Sequence, residues 1–186
     1  MLPPQLSAQI QAKAAVPPPD IDYGMYRDAY VRLGMVNIAN VADLGCGEGH
    51  FAKVLVERKQ RPGVYWGVDL DLGRIQTARE RYPGWRFAYG DFFSDKVQME
   101  FVKFEGFLVL NVLEYLEKDE ELLRSIPSGR PVIFSVPAFE AEGAIRRFSS
   151  DVEVRERYSA VVRIQHLGQY RTEDGGVYFM GTSYRW

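Results

Sequence analysis

The chain has 186 residues, 46% of them apolar, with a formal net charge of −2. That length and composition suit one domain with its own core and exclude a disordered chain, and the near-neutral charge argues against a dedicated nucleic-acid binder. A single cysteine, Cys46, excludes an internal disulfide framework. No run approaches the ~18 apolar residues of a membrane span and no signal peptide is visible, so a cytoplasmic protein is expected.

Residues 1–20 are rich in Pro, Ala and Gln and end in Pro17-Pro18-Pro19. They predict a mobile arm ahead of a single domain over 21–186. From Ile21 to Met35, the residues Met25, Tyr26, Ala29, Tyr30 and Leu33 fall near one helical face. The period then alternates between strand and helix. Strands are expected at Asn40–Leu44, Val64–Val68, Trp85–Ala88, Phe104–Leu110 and Pro131–Val136. Helices are expected at Gly49–Arg58, Leu72–Tyr82 and Leu113–Ile126, while the segment between Asp91 and Phe104 reads as too short for a full helix with its loops. Ala141 to Arg157 reads as helix and loop. The β-rich runs Tyr158–Gln169 and Val177–Tyr184 flank Glu173-Asp174-Gly175-Gly176 and predict a terminal hairpin.

Within this pattern, Val41 to Gly49 (VADLGCGEG) is a glycine-rich turn between a strand and a helix. Such a turn aims backbone N–H groups and a helix N-terminus at a ligand, and small residues let the ligand lie against the main chain. A dinucleotide fingerprint requires G-x-G-x-x-G. Here the glycines are Gly45, Gly47 and Gly49, so the third comes one residue early. Asp43 at the strand end would also repel a pyrophosphate, whereas it suits an ammonium or sulfonium. S-adenosylmethionine carries both cations and no phosphate.

The segment VADLGCGEGHFAKVL resembles motif I of the class I S-adenosylmethionine-dependent methyltransferases. The resemblance continues in order. WGVDLD places Asp69 at the end of the second strand, about twenty residues on, where an acid binds ribose hydroxyls. FAYGDFF follows the third strand with Asp91 and Phe92 at the adenine-contacting positions. LVLNVLEYLEKDEELLRSIPSGRPVIFSVP is similar to the fourth strand, helix and fifth strand of the small-molecule type with its LEH core. The match runs from Val41 to Pro137. It implies a Rossmann-like three-layer α/β sandwich, with a seven-stranded, mostly parallel sheet in the order 3-2-1-4-5-7-6 and an antiparallel last strand.

By the same resemblance, Asp43, Gly45, Cys46 and Gly47 should face the methionine moiety, with Asn111 and Val112 at its border. Asp69 should take the ribose and Leu70 the adenine, which leaves Asp71 to cap the following helix. Cys46 itself reads as a small buried residue rather than a nucleophile. The LEH core reads Leu113-Glu114-Tyr115 here, so tyrosine replaces the histidine; Glu114 and Tyr115 are the catalytic candidates. Tyr26, Arg27, Tyr30 and Arg146 are the candidates for facing the acceptor. His50 and His166 read as structural. No metal is expected, because Asn111 and Tyr115 do not suit the ligand set of a metal-dependent RNA-end methyltransferase.

The expected activity is methyl transfer to oxygen or nitrogen of a small molecule, with S-adenosylhomocysteine as product. The alternatives are a protein or RNA acceptor, or a catalytically silent S-adenosylmethionine-binding partner subunit. A small-molecule acceptor, no membrane and no nucleic acid are the expected partners; oligomeric state is not legible.

Overall fold

The computed structural model describes residues 23–59, 63–139, 141–172 and 176–186. The proposed arm lies outside the described residues. The elements in chain order are α1 (Tyr23–Met35), β1 (Asn40–Leu44), α2 (His50–Glu57), β2 (Val64–Asp69), α3 (Leu72–Arg81), β3 (Arg86–Tyr89) and α4 (Asp95–Phe101). They continue with β4 (Gly106–Leu110), a 3₁₀ turn (Leu113–Tyr115), α5 (Asp119–Ser125), β5 (Pro131–Pro137), α6 (Asp151–Tyr158), β6 (Val162–Arg171) and β7 (Val177–Arg185).

The strands form one seven-stranded sheet in the order β3-β2-β1-β4-β5-β7-β6. The first five pair in parallel, β1 lying between β2 and β4. β7 is antiparallel to β5 and to β6, and the β6–β7 ladder shifts register between Ile164 and His166. Alternate side chains of the central strands enter two cores. Ala42, Leu44, Trp66, Val68, Phe107 and Val109 pack with α4, α5 and α6. Val41, Tyr65, Leu108, Leu110 and Ile133 pack with α1, α2 and α3. Burial on both faces is why these strands read as near-continuous apolar runs.

Two expectations need correction. The stretch from Leu113 to Ile126 is not one helix. It is a single 3₁₀ turn, an extended Leu116, and then α5 from Asp119. The physical reason lies in Arg146, whose guanidinium takes the carbonyls of Leu113 and Leu116 that a continuous helix would need. Conversely, the segment after Asp91 does contain a helix: α4 buries Val97 and Phe101, one turn apart, against the sheet.

Candidate active site

The glycine loop is built from contacts that only glycine permits. Gly45 donates its N–H to Val68 O at 2.8 Å, and Cys46 reaches the same carbonyl at 3.2 Å, so the loop turns over the end of β2. Gly45, Gly47 and Gly49 have φ of 83°, 54° and 84°, in the left-handed region. A Cβ on Gly45 would collide with Val112 Cγ2, and one on Gly47 would lie 3.0 Å from His50 Nε2. The thiol of Cys46 is buried beneath the loop against Gly67 of β2, whose own Cβ would lie 2.7 Å from it. Burial pushes that thiol up, which suits a packing role.

Asp69 ties the loop to the end of β2. Its Oδ2 accepts the Gly47 N–H and its Oδ1 the Asp71 N–H, each at 2.9 Å. Asp71 caps α3 by accepting from the Arg74 N–H, as expected. Asp69 is thereby held rigidly, and each carboxylate oxygen keeps a second lone pair for a ligand hydroxyl. Burial raises its pKa, against the two backbone hydrogen bonds.

Beyond the loop lies a second, drier group. Asp43 is buried and accepts the Tyr65 hydroxyl at 2.6 Å. Burial pushes its pKa up to about 7, with the Tyr65 bond opposing and Asp69 adding to the rise. Tyr26 of α1 is buried; desolvation, then the charges of Asp43, Tyr178, Tyr23 and Glu114, hold its hydroxyl far above the phenol range. The His50 ring lies 5.7 Å from that of Tyr26 and 6.3 Å from that of Tyr23. Desolvation there lowers its pKa to about 4, so the imidazole is neutral at physiological pH.

The turn after β4 closes the group. Asn111 has φ of 55°, and this left-handed turn is fixed by Ser135 of β5. The Ser135 hydroxyl accepts the Asn111 N–H at 3.0 Å and donates to Asn111 Oδ1 at 2.9 Å. Glu114 is only 1% exposed, and its Oε2 has no hydrogen-bond partner among the described residues. Burial pushes its pKa up to about 8, opposed only by a backbone bond of its own residue. Tyr115 is 39% exposed, and desolvation followed by Glu114 raises its hydroxyl to about 12.

The remaining candidates are placed as follows. Asp91 accepts the Phe93 N–H in a tight turn at 2.9 Å. The Phe92 ring is buried in the core, and Leu70 is half-buried against the same core. Arg27 is not brought to the site: it pairs with Glu57 at the far end of α2. Tyr30 lies beside Arg58, also at that end. Arg146 is a clamp rather than an acceptor-facing residue, since it holds the Leu113 and Leu116 carbonyls and lies 3.2 Å from buried Asp119. Of the α1 candidates, Tyr26 is the one whose ring lies beside His50 at the start of α2. His50, Ser135, Tyr65 and Tyr178 belong to the site but were not singled out for it from sequence. Only His50, directly after the glycine loop, carried a positional signal. Among the described residues no group of three or more His, Cys, Asp and Glu side chains is placed to hold a metal ion.

The arrangement is a held acid beside a glycine cradle, backed by buried carboxyls and tyrosines. Such a set suits a cationic ligand rich in hydroxyls and rejects a phosphate. Comparison with known proteins agrees. Residues 41–128 match the family described as "Methyltransferase domain". The trans-aconitate 2-methyltransferase of Rhizobium leguminosarum bv. trifolii is 35% identical over 65 residues, 35% of this chain and 25% of that protein. The matched segment thus spans a quarter of that relative's length. The N-methyltransferase NodS from Bradyrhizobium japonicum, solved with S-adenosylhomocysteine, superposes with a TM-score of 0.68 at 17% identity, over 97% of this chain and 98% of that one. The methyltransferase domain of bacterial CtHen1-C gives a TM-score of 0.65 at 20% identity, over 88% of this chain and 97% of that one. These structural likenesses establish the fold.

Proposed function

We propose that this chain, a member of the class I S-adenosylmethionine-dependent methyltransferases, transfers the donor's methyl group to a small-molecule acceptor. The observation that carries the reading is Asp69, whose carboxylate is fixed by the Gly47 N–H and so binds the glycine loop and an acid into one unit. The residues fit the donor. Asp69 would take the ribose hydroxyls and the positive-φ glycines would face the methionine backbone. Asp43, a buried acid bonded to Tyr65 with no cation paired to it among the described residues, would welcome the positive charge. Bound there, S-adenosylmethionine supplies a methyl group already activated by its sulfonium.

The protein's own share is therefore orientation and exclusion of water. Asn111, locked by Ser135, and Val112, packed on Gly45, form the wall between loop and acceptor space. Tyr26 and His50 cover the loop from α1 and α2. The trans-aconitate 2-methyltransferase relative acts on a small molecule by name, and this supports the acceptor class. Calorimetry with S-adenosylhomocysteine is the test, followed by product release across a panel of small acids, alcohols and amines. Binding with turnover on one class is expected. Absence of S-adenosylhomocysteine binding would overturn the reading. Binding without any turnover would favour the silent partner subunit.

A further inference from the structure

Glu114 is a buried acid of the described site whose chemistry the donor leaves unused. Its carboxyl is removed from water and one oxygen has no partner among the described residues. A buried carboxyl oxygen without a partner is costly, and a ligand that brings an N–H donor, above all a charged one, offsets that cost. Nothing in the described site already does so: the influences on Glu114 are burial and its own backbone.

The surroundings point the same way. Tyr26 of α1 is buried, with the Tyr23 ring 6.2 Å and the His50 ring 5.7 Å from its own, and the charges of Asp43 and Glu114 both act to raise its hydroxyl. Carboxyls and tyrosine rings together make walls for a cation. The nearby cations are engaged elsewhere. Arg146 is bound to the Leu113 and Leu116 carbonyls and to Asp119. Lys53 lies over the Tyr23 ring at 3.6 Å. Arg74, whose charge reaches Tyr115, pairs with Asp71 at 3.6 Å. Glu142 adds a further negative charge toward Tyr115, and His50 is neutral. A carboxylate acceptor beside Glu114 would meet a buried acid, and those cations are already engaged.

We propose that the acceptor is an amine that enters as an ammonium ion, and that Glu114 holds it and takes its proton. The inference rests on the methyltransferase reading. The N–H bond breaks and its proton passes to Glu114 Oε2, leaving a lone pair on nitrogen. That pair forms the bond to the methyl carbon as the carbon–sulfur bond breaks, and the sulfur keeps the departing pair as a neutral thioether. The alkylated nitrogen carries the positive charge away, and Glu114 returns its proton to water.

The test uses the full chain saturated with S-adenosylhomocysteine. It is titrated calorimetrically with n-butylamine, benzylamine and phenethylamine, and with butyrate, benzoate and trans-aconitate. Buffers of different ionisation enthalpy count the protons exchanged. At least one amine should bind more tightly than every acid. Glu114→Gln should weaken it about tenfold or more, the loss expected for a charge-assisted hydrogen bond, and leave S-adenosylhomocysteine affinity within about twofold; the latter also shows that the variant is folded. With S-adenosylmethionine, amine turnover should rise with pH through the Glu114 titration and fall about 10²-fold or more in the variant, with that inflection gone. Acids that outbind the amines, amines that do not bind, or a variant that binds amines as well as the wild type would each overturn the inference. Failure of S-adenosylhomocysteine to bind would instead sink the methyltransferase reading on which it rests.

Discussion

Replacing Gly45 with alanine separates two demands that the loop makes on that position. The first is backbone conformation: φ is 83°, in the left-handed region, where a side chain costs roughly 1–2 kcal/mol. The second is space. The new Cβ would be driven into Val112 Cγ2, and overpacking of this kind costs about 1–3 kcal/mol. Gly45→Ala should therefore destabilise the chain by about 2–5 kcal/mol. Val112→Ala removes the colliding methyl and should cost about 2 kcal/mol by itself. In the double variant the collision is gone while the strain remains. Its loss should fall short of the sum of the single losses by about 1–3 kcal/mol, the overpacking share. Urea denaturation followed by tryptophan fluorescence on the four proteins supplies the cycle. If the two changes add to within about 0.5 kcal/mol, the loop does not rest on Val112 and the account of Gly45 is wrong.

Asp69→Ala should weaken S-adenosylhomocysteine binding by about 1–3 kcal/mol in calorimetry, because polar groups on both sides lose their partner; unchanged affinity would remove Asp69 from the ribose. Asp43 and Glu114 have folded pKa values of about 7 and about 8, above their unfolded values, so the stability linked to them is complete at low pH and lost as pH rises through those values. His50 acts in the opposite sense, its folded value of about 4 lying below the unfolded one, so its contribution is lost as pH falls from 6.5 through 4. Above that range the acids act alone: urea midpoints should fall as pH rises from about 6.5 to 8.5, by at most about 1.4 kcal/mol per unit for each group, and Glu114→Gln should flatten the upper part of the curve. A wild-type midpoint that holds level or rises there would refute the assignment. Asp119→Ala strands Arg146 and Arg157 and the Tyr158 hydroxyl together, and should cost about 3–5 kcal/mol in thermal or urea unfolding; a loss below about 1 kcal/mol would mean that Asp119 is not the hub of that cluster.

The strands were legible because burial on both faces leaves long apolar runs, and because Pro-Gly and Ser-Gly punctuate them. The turn made by the glycine loop was legible for a related reason: positive φ and close packing demand a residue type, and the residue type is visible in sequence. Arg146 was misread because its charge suggested a ligand, while its place is set by backbone carbonyls of a turn more than thirty residues away. Nothing local announces such a bond. The same bond explains why the apolar spacing after Leu113 looked like one helix and is not. Arg27 and Tyr30 share a helix with Tyr26, but Arg27, the next residue, points to another face and pairs with Glu57. Tyr30 shares the face one turn further on, beside Arg58, and helical periodicity reports a face and not a height along it. Tyr65 read as a strand residue like its neighbours, and only the pairing of Ala42–Leu44 with Trp66–Val68 brings its hydroxyl to Asp43.

The position of the acid pair follows from topology. From β1 the chain crosses to β2 on one side, and from β4 to β5 on the other. The two connections leave adjacent strands in opposite directions, so a crevice opens above the ends of β1 and β4. Asp43 lies near the end of β1 beside the glycine loop, and Glu114 follows β4 three residues after Asn111, so both stand at the strand ends where the loops part. Both lie within residues 41–128, the span that matches the family. Tyr26 precedes that span, and Ser135 and Tyr178 follow it. On the proposed function, the donor side would come from the shared segment and the acceptor side would be completed by residues outside it. Substitutions at Tyr26 and Tyr178 should accordingly alter which amine is taken while leaving S-adenosylhomocysteine affinity nearly unchanged, whereas substitutions at Gly47 or Asp69 should do the reverse.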